Sequence, residues 1–592
     1  MSLQPIEGPL GTKRAAHLLR RLAFGATPQQ IADFAERTID EALEVLFADE
    51  LPEAPPPLDP LTGETWIGQT PAEGAGSEES ALQDYLKSWW LGQMLSAGVE
   101  EENSLGYAVR ENIVFFYHTL FTTKQSVVSN SRALYYQLAL FRLFARDDLE
   151  FPLNSDIPED PFGPEFNLHL KALTERVCID NAMLRFLDGN LNVDGNPNEN
   201  YARELLELYS VGRGLEGNLP DDLPDGDYGT FTEEDVQAAA RVLSGWQWDR
   251  SFNTLDELTN LPIGRTKGGA LANRHDNTVK VFSERLGNAV VTPSLNPATE
   301  ESARQEITDL VEAIYDQEET TRHICRRLYR YFVHFEITPE LDDSLIAELS
   351  TILREYNFRV VPTLKVLISS EYFFGNEEGV LDDMTGSIIK SPLDLVVGTM
   401  RTIGYEMNDP STDPEGFYSL AGTLRGHLSE MGLPFLDPFE VAGYPGYHQF
   451  PLFHRNWISP NYLAQRYDFI QNLFASLDDL DDIGESERPL RRMEVLNWVE
   501  QNVEDSIASD ARTLLHHLAQ LFLPNAEGTG EDGELTEERI NYFLFSFLGD
   551  ADPEPEEAWA TRWSQSNGRR TVSGQLKSLF NAMLQSPEHQ LK

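Results

Sequence analysis

Lysine is scarce in this chain. It occurs ten times in 592 residues, and Lys and Arg together number 46 against 97 Asp and Glu. The formal net charge is −51, and the acids are spread along the whole chain rather than gathered in a tail. A field of that sign repels nucleic acid and anionic membrane surfaces, so neither is an expected partner. It is suited to high ionic strength, where salt screens self-repulsion over a few ångströms, and a halophilic source is expected. A merely acidic surface and a cation-binding protein are the alternatives.

Cysteine is scarcer still, with two residues. Cys178 in "RVCID" and Cys325 in "RHICRRLY" both sit in apolar helical patterns, where buried free thiols are expected and one disulfide is the alternative. No zinc spacing exists. No window of about 20 apolar residues suggests a membrane span. The first residues, "MSLQPIEGPLGTKRAAHLLRRLAFG", lack the apolar stretch of a secretory signal. The default expectation is therefore cytoplasmic, with export alongside a partner as the alternative. Also missing are a G-x-S-x-G elbow, a P-loop, an H-E-x-x-H pair, a Rossmann glycine string and a C-x-x-C-H haem site.

What is present is helical periodicity. With 41% hydrophobic and 10% aromatic residues the chain can bury a large core. In "TKRAAHLLRRLAFG", Ala15, Ala16, Leu18, Leu19, Leu22 and Ala23 share one broad apolar face. Thr27 and Pro28 start the next helix as N-cap and first helical residue. Further helices are expected at 166–187, 199–211, 232–246, 300–317, 320–335, 340–356, 360–372, 390–404, 460–478, 490–503, 508–522, 535–548 and 570–586. Strand signals are confined to 277–282 and 288–293, a possible hairpin. The expected class is mainly α: a large multi-helical body with long loops and at most a small hairpin. Residues 1–470 read as the main helical domain, with a loop excursion at 51–80, and 471–592, with a second excursion at 523–535, as a C-terminal helical region packed on the same body.

The stretch "LDGNLNVDGNPNENYARELLELYSVG" (187–212) is the most pointed. Asn198 or Asn200 can cap the helix that follows. Glu199, Arg203 and Glu207 recur at i, i+4 and i+8, beside Glu204, and Gly212 ends the helix. Before it, Asp188, Asn190, Asn192 and Asp194 alternate as oxygen donors and Gly195 offers a sharp turn, like the first half of a calcium loop. Neither register completes an EF-hand. A looser calcium site, with Glu199 as a further ligand, is the functional reading; an Asx-rich turn is the structural one.

In "TFTEEDVQAAARVLSGWQWD" Thr232 is an N-cap with Asp235 in the capping-box position. Arg241, on an apolar helix, needs a carboxylate partner, for which Glu204 and Glu207 are candidates. "NRHDNTVKVF" sets His275 beside Asp276 and Lys280, the smallest acid/base unit. His118 in "VFFYHTLF" reads as a satisfied core histidine, and His516 and His517 carry no assigned role. In the Pro/Gly/aromatic loop 431–469, Asp437, Tyr444, Trp457 and Asn461 are candidates for a pocket wall.

Taken in order, "AAHLLRRLAFGATP", "NPNENYARELLELYSVG", "FTEEDVQAAARVLSGW", "RHDNTVKVF", "HICRRLYRYFV", "SPLDLVVGTMRTIGY", "GYPGY", "WISPNYLAQRYDF" and "SPEHQ" resemble a bacterial family of unknown function, DUF1800, over about residues 14–590. "NVDGNP" departs from the family, whose members usually carry a more basic or variable insert there. The resemblance brings no catalytic mechanism. Family members are commonly encoded beside an exported, sulfatase-like family, which implies a shared pathway or complex at the cell envelope. Three functional expectations follow. The first is a non-catalytic binding or assembly component acting with a sulfatase-like envelope partner. The second is a hydrolase-like enzyme whose buried polar centre is Glu199, Arg203, Glu204, Glu207, Arg241, His275 and Asp276. The third is a self-associating subunit of a surface layer or filament.

Overall fold

The structure is a computed structural model and describes residues 2–68, 76–148, 168–219, 222–269, 271–375, 386–474, 493–524, 535–565 and 569–592. It is mainly helical, with two small antiparallel strand pairs. One pair, Lys280–Val281 with Val290–Val291, is the expected hairpin. The other, Trp246–Gln247 with Arg265–Thr266, was not expected from the sequence, because two-residue strands carry no readable alternation. Most of the 523–535 excursion and part of 51–80 lie outside the described residues.

The centre of the body is helix Glu101–Leu120, in which every residue from Leu105 to Leu120 is buried. Its apolar positions run all round, and such a helix is stable only inside a shell of others. Helices Gly11–Leu22, Ile39–Leu46, Glu79–Met94 and Ser131–Phe144 pack against it. Two of its buried polar groups are held from the shell. Glu111 takes two hydrogen bonds from Arg142 (2.8 and 2.7 Å) and one from Trp90 Nε1 (3.0 Å). Asn112 Nδ2 donates to the carbonyls of Arg21 and Leu22, and its Oδ1 accepts from the Tyr331 hydroxyl at 2.7 Å.

Local signals set the helix starts. Thr27 and Thr232 cap as read, both in capping boxes; Thr299 closes another, and Ser459 Oγ accepts from Tyr462 N–H at 3.1 Å. The single helix expected over 166–187 is instead two, Leu170–Cys178 and Asn181–Phe186, because the Asp180 side chain caps the second by accepting from Met183 N–H. Helix Pro414–Glu430, which the sequence reading passed over, packs on Glu79–Met94.

Helix Val495–Asn502 touches the preceding part of the chain. Trp498 Nε1 donates to the Ile403 carbonyl at 2.9 Å. The chain end adds a short antiparallel pairing, in which Lys390 N–H donates to the Gln590 carbonyl (2.7 Å) and Lys592 N–H to that of Ile388 (2.8 Å). Cys178 and Cys325 are free and buried, as expected. Among the described residues no helix is long and apolar enough to cross a membrane.

Candidate functional site

The seven residues read as a polar centre fall into two groups. Helix Glu199–Glu204 is capped by Asn198, whose side chain accepts from Asn200 N–H at 3.1 Å. It then widens into a π turn over Leu205–Tyr209, where Ser210 Oγ donates to the Leu205 carbonyl. Arg203 reaches Glu233 (2.7 Å) and the Tyr228 hydroxyl (3.0 Å), and only loosely Glu199 (4.0 Å). Glu207 pairs with Arg213 at 2.8 Å. Glu204 is half-buried; burial, then the neighbouring Glu207 charge, push its carboxyl up to about 7.

The second group is tighter. Arg241 meets neither Glu204 nor Glu207. Its Nε donates to Asp276 Oδ2 at 3.0 Å and its Nη2 to Thr278 Oγ1 and the Val279 carbonyl. The reason is register: Arg241 sits one residue before the end of helix Glu233–Val242, facing the hairpin. Burial works against the Asp276 carboxylate, yet hydrogen bonds from Thr278 and the Arg241 charge hold its carboxyl below the usual range. His275 is buried and donates Nδ1–H to the Ser244 carbonyl at 2.9 Å. Its Nε2 lies 3.1 Å from Glu306 Oε1, though not aligned for a hydrogen bond. Lys280, also buried, bonds Glu306 Oε2 and the Asp276 carbonyl. Burial lowers its pKa, with Glu306 opposing. Glu306 was not singled out in the sequence, since one acid in "SARQEITDL" has nothing to distinguish it. Among the described residues no hydrogen bond or ion pair joins the Glu204 group to the His275 group.

The calcium-like loop is drawn into the fold. Asn192 is buried, donating to the Ala240 carbonyl (2.7 Å) and accepting from Asn198 N–H (3.1 Å). Asp188 has a left-handed backbone (φ 55°), and Asp194 is exposed on the turn that Gly195 closes. Among the described residues no group of three or more His, Cys, Asp or Glu side chains stands ready to hold a metal ion.

A pocket lies elsewhere, between helix Glu318–Phe332 and the 431–459 loop. Arg327, Arg330, Tyr331, Ser391, Asp394, Tyr447, Phe453, His454, Trp457 and Lys592 line it, and its cavity volume is about 20 Å³, room for a group little larger than water. The loop is shaped by close approach: a Cβ on Gly446 would meet the Trp457 ring at 2.1 Å. Tyr447 stacks on Tyr331 with centroids 5.5 Å apart and meets Trp457 edge-on at 5.6 Å. Of the pocket-wall candidates only Trp457 takes that place. Asp437 accepts from Ser126, Tyr444 is buried against the Pro434 carbonyl, and Asn461 is exposed on the next helix.

The charged groups of the pocket are unevenly matched. Arg330 forks onto Glu216 (2.8 and 2.6 Å), and Lys592 pairs with Asp394 at 2.8 Å. Arg327 has the Thr119 carbonyl (2.6 Å) but no carboxylate among the described residues. Burial, and then Arg330, bring its pKa down to about 10. His454 Nδ1 accepts from Ile389 N–H at 2.6 Å, which makes Nε2 the protonated nitrogen. That Nε2 is buried and has no protein partner. Burial, with Arg455 next, holds the ring neutral by lowering its pKa to about 4. The sequence signal for this pocket was the run of arginines in "HICRRLYRYF", unusual in so acid a chain.

His118 is buried as expected, between Trp90 and Phe115, but neither ring nitrogen has a hydrogen bond. It is a core histidine without partners rather than a satisfied one.

Comparison with curated proteins and with solved structures finds no match. A family model described as "Protein of unknown function (DUF1800)" matches residues 17–591. The helical body is therefore that of a member of the DUF1800 family.

Proposed function

We propose that this chain is a non-catalytic binding component, acting with a partner at the cell envelope, and that its ligand places an acidic group in the pocket beneath the 431–459 loop. The observation that carries the reading is the His454 Nε2–H, a buried donor without an acceptor, in a pocket also lined by Arg327, whose guanidinium has no carboxylate among the described residues. An unmet buried donor costs about 1–3 kcal/mol, which an accepting ligand oxygen would recover. Supporting the partner is the resemblance to a family encoded beside sulfatase-like envelope proteins.

Titration calorimetry with formate, a carboxylate small enough for the cavity, as the probe tests the pocket. Wild type is expected to bind it, and Arg327→Met and His454→Phe to weaken binding at least tenfold, about 1.4 kcal/mol. Equal affinity in all three proteins sinks the reading.

A second reading rests on Glu204. A half-buried carboxyl pushed up to about 7 can exchange a proton near neutral pH, as a hydrolase's acid or base must. Under it, Glu204→Gln abolishes any hydrolytic activity found in a substrate screen while leaving formate binding unchanged.

A further inference from the structure

Three arginines gather on a row of aromatic rings. Arg185 comes from the last turn of helix Asn181–Phe186, and Arg250 from the turn that follows strand Trp246–Gln247. Both lie over the ring of Trp248, with Cζ 4.5 and 5.4 Å from its centroid. Trp248 meets Phe252 edge-on with centroids 6.4 Å apart, and Arg132 lies over Phe252 at 4.6 Å. Tyr136, one turn along the helix from Arg132, closes the row against Phe252 at 5.5 Å. Arg132, Tyr136, Arg185 and Trp248 are half-buried and Arg250 is exposed, so the row faces solvent.

In so acid a chain the neighbouring carboxylates decide what such a row can do. Among the described residues neither Arg185 nor Arg250 has a hydrogen bond or an ion pair. Glu79, the acid that acts on Arg185, accepts from Ser131 N–H and from Gln83. Asp249, next to Arg250 in the chain, is buried and accepts from the N–H groups of Ser251, Asn253 and Thr254. Both acids are thus spent on other donors. Burial, and then the Arg250 charge, lower the Arg185 pKa.

Two features run against local preference. Arg132 stands in the first turn of helix Ser131–Phe144, where the helix dipole disfavours a positive charge. Phe252 has φ 56°, a left-handed backbone that a bulky side chain rarely adopts. The turn built on Asp249 holds it there, with Phe252 N–H donating to the Asp249 carbonyl at 3.1 Å.

A guanidinium over a ring face keeps its N–H edge for a carboxylate, which it meets with two parallel hydrogen bonds. These guanidiniums are set out along the row, Arg132 on one ring and two on the next, which suits a string of carboxylates better than a single ion. Side chains on one side of an extended peptide recur about every 6.6 Å, close to the 6.4 Å between the Phe252 and Trp248 rings. A long polyanion would run off the row onto a surface of net charge −51 and be repelled, so the segment is short. Two copies of this chain repel one another for the same reason.

We propose that Arg132, Arg185 and Arg250, on the Trp248–Phe252 row, form a docking surface for a short acidic peptide segment of a partner protein, with carboxylates at alternate residues. The surface shares no residue with the pocket beneath the 431–459 loop and does not depend on its ligand.

The test is fluorescence anisotropy of a labelled pentapeptide of alternating Glu and Ala with the full chain, at low and high sodium chloride. The same peptide with Gln for Glu and a hyaluronate tetrasaccharide serve as comparisons. Wild type is expected to bind the acidic peptide, more weakly as salt rises, and the Gln peptide at least tenfold more weakly. Arg185→Gln and Arg250→Gln each weaken the acidic peptide at least tenfold with Tm unchanged, and His454→Phe keeps the wild-type affinity. No binding by wild type, equal affinity for the two peptides, or an affinity unchanged in either arginine variant overturns the proposal. Binding lost in His454→Phe but kept in Arg185→Gln would put the peptide in the other pocket and overturn it equally. So would tighter binding of the tetrasaccharide, which assigns the row to an acidic glycan, or a wild-type dimer in sedimentation that Arg250→Gln dissolves, which makes the occupant a second copy.

Discussion

At the scale of single residues, two buried titratable groups give opposite pH dependences. His118 has its pKa lowered to about 3 by burial. Its neutral form is present above the unfolded value of about 6.5, and the stability it allows is lost as pH falls from there toward 3. Replacing it with leucine removes two unmet polar atoms, so His118→Leu is expected to gain about 1–3 kcal/mol at pH 7. The gain should widen toward pH 4 in urea unfolding; a loss of stability at pH 7 would show that the ring has a partner. Glu204 runs the other way. Its folded carboxyl is raised to about 7, so its contribution is full below the unfolded value of about 4.5 and declines as pH rises through 7. Glu204→Gln should therefore be more stable than wild type at pH 8, by about 1 kcal/mol after solvent screening, and no more stable at pH 4. Chemical denaturation at the two pH values checks this.

At the scale of elements, the hairpin is held to helix Glu300–Tyr315 by charge. Lys280 from the first strand and His275 before it both converge on Glu306 of that helix. Removing the acid strands a buried ammonium, so Glu306→Ala is expected to cost about 3–5 kcal/mol, measured as a fall in the urea midpoint. A cost below about 1 kcal/mol would mean that Lys280 is neutral or finds water. The signature helix ends just as tightly. Gly212 has φ 72°, and a Cβ there would meet His323 Nδ1 at 2.4 Å. Gly212→Ala combines a left-handed strain with that clash, and a loss of about 1–3 kcal/mol is expected by thermal unfolding. The sequence showed this helix, its cap and its terminal glycine. It did not show the π turn at Leu205–Tyr209, because the apolar stripe reads the same for either winding.

At the scale of the whole molecule, the charge excess sets the conditions for folding. Surface acids repel one another most at low salt, and the screening length falls from about 10 Å at 0.1 M to about 3 Å at 1 M. Tm is expected to rise steadily with sodium chloride over that range, and a flat or falling profile would remove the halophilic reading. The interior obeys a different rule. Its basic residues are committed to particular acids, as in Arg142–Glu111, Arg326–Asp342 and Arg330–Glu216, so the arginines that lack one stand out.

The sequence by itself determined the helical class, the caps, the hairpin, the buried thiols and the family, because each is written in local periodicity, turn chemistry or a run of residues in order. It also placed His275, Asp276 and Lys280 together, being near neighbours in the chain. Only the tertiary structure decided that Arg241 turns to Asp276 and away from Glu204, and that Glu306 closes the His275 group from 31 residues away in sequence. The same holds for Arg327 and His454 lining one pocket. These are contacts between segments far apart in the chain. Which charge finds which partner depends on how helices pack in three dimensions, and no spacing along one helix encodes it.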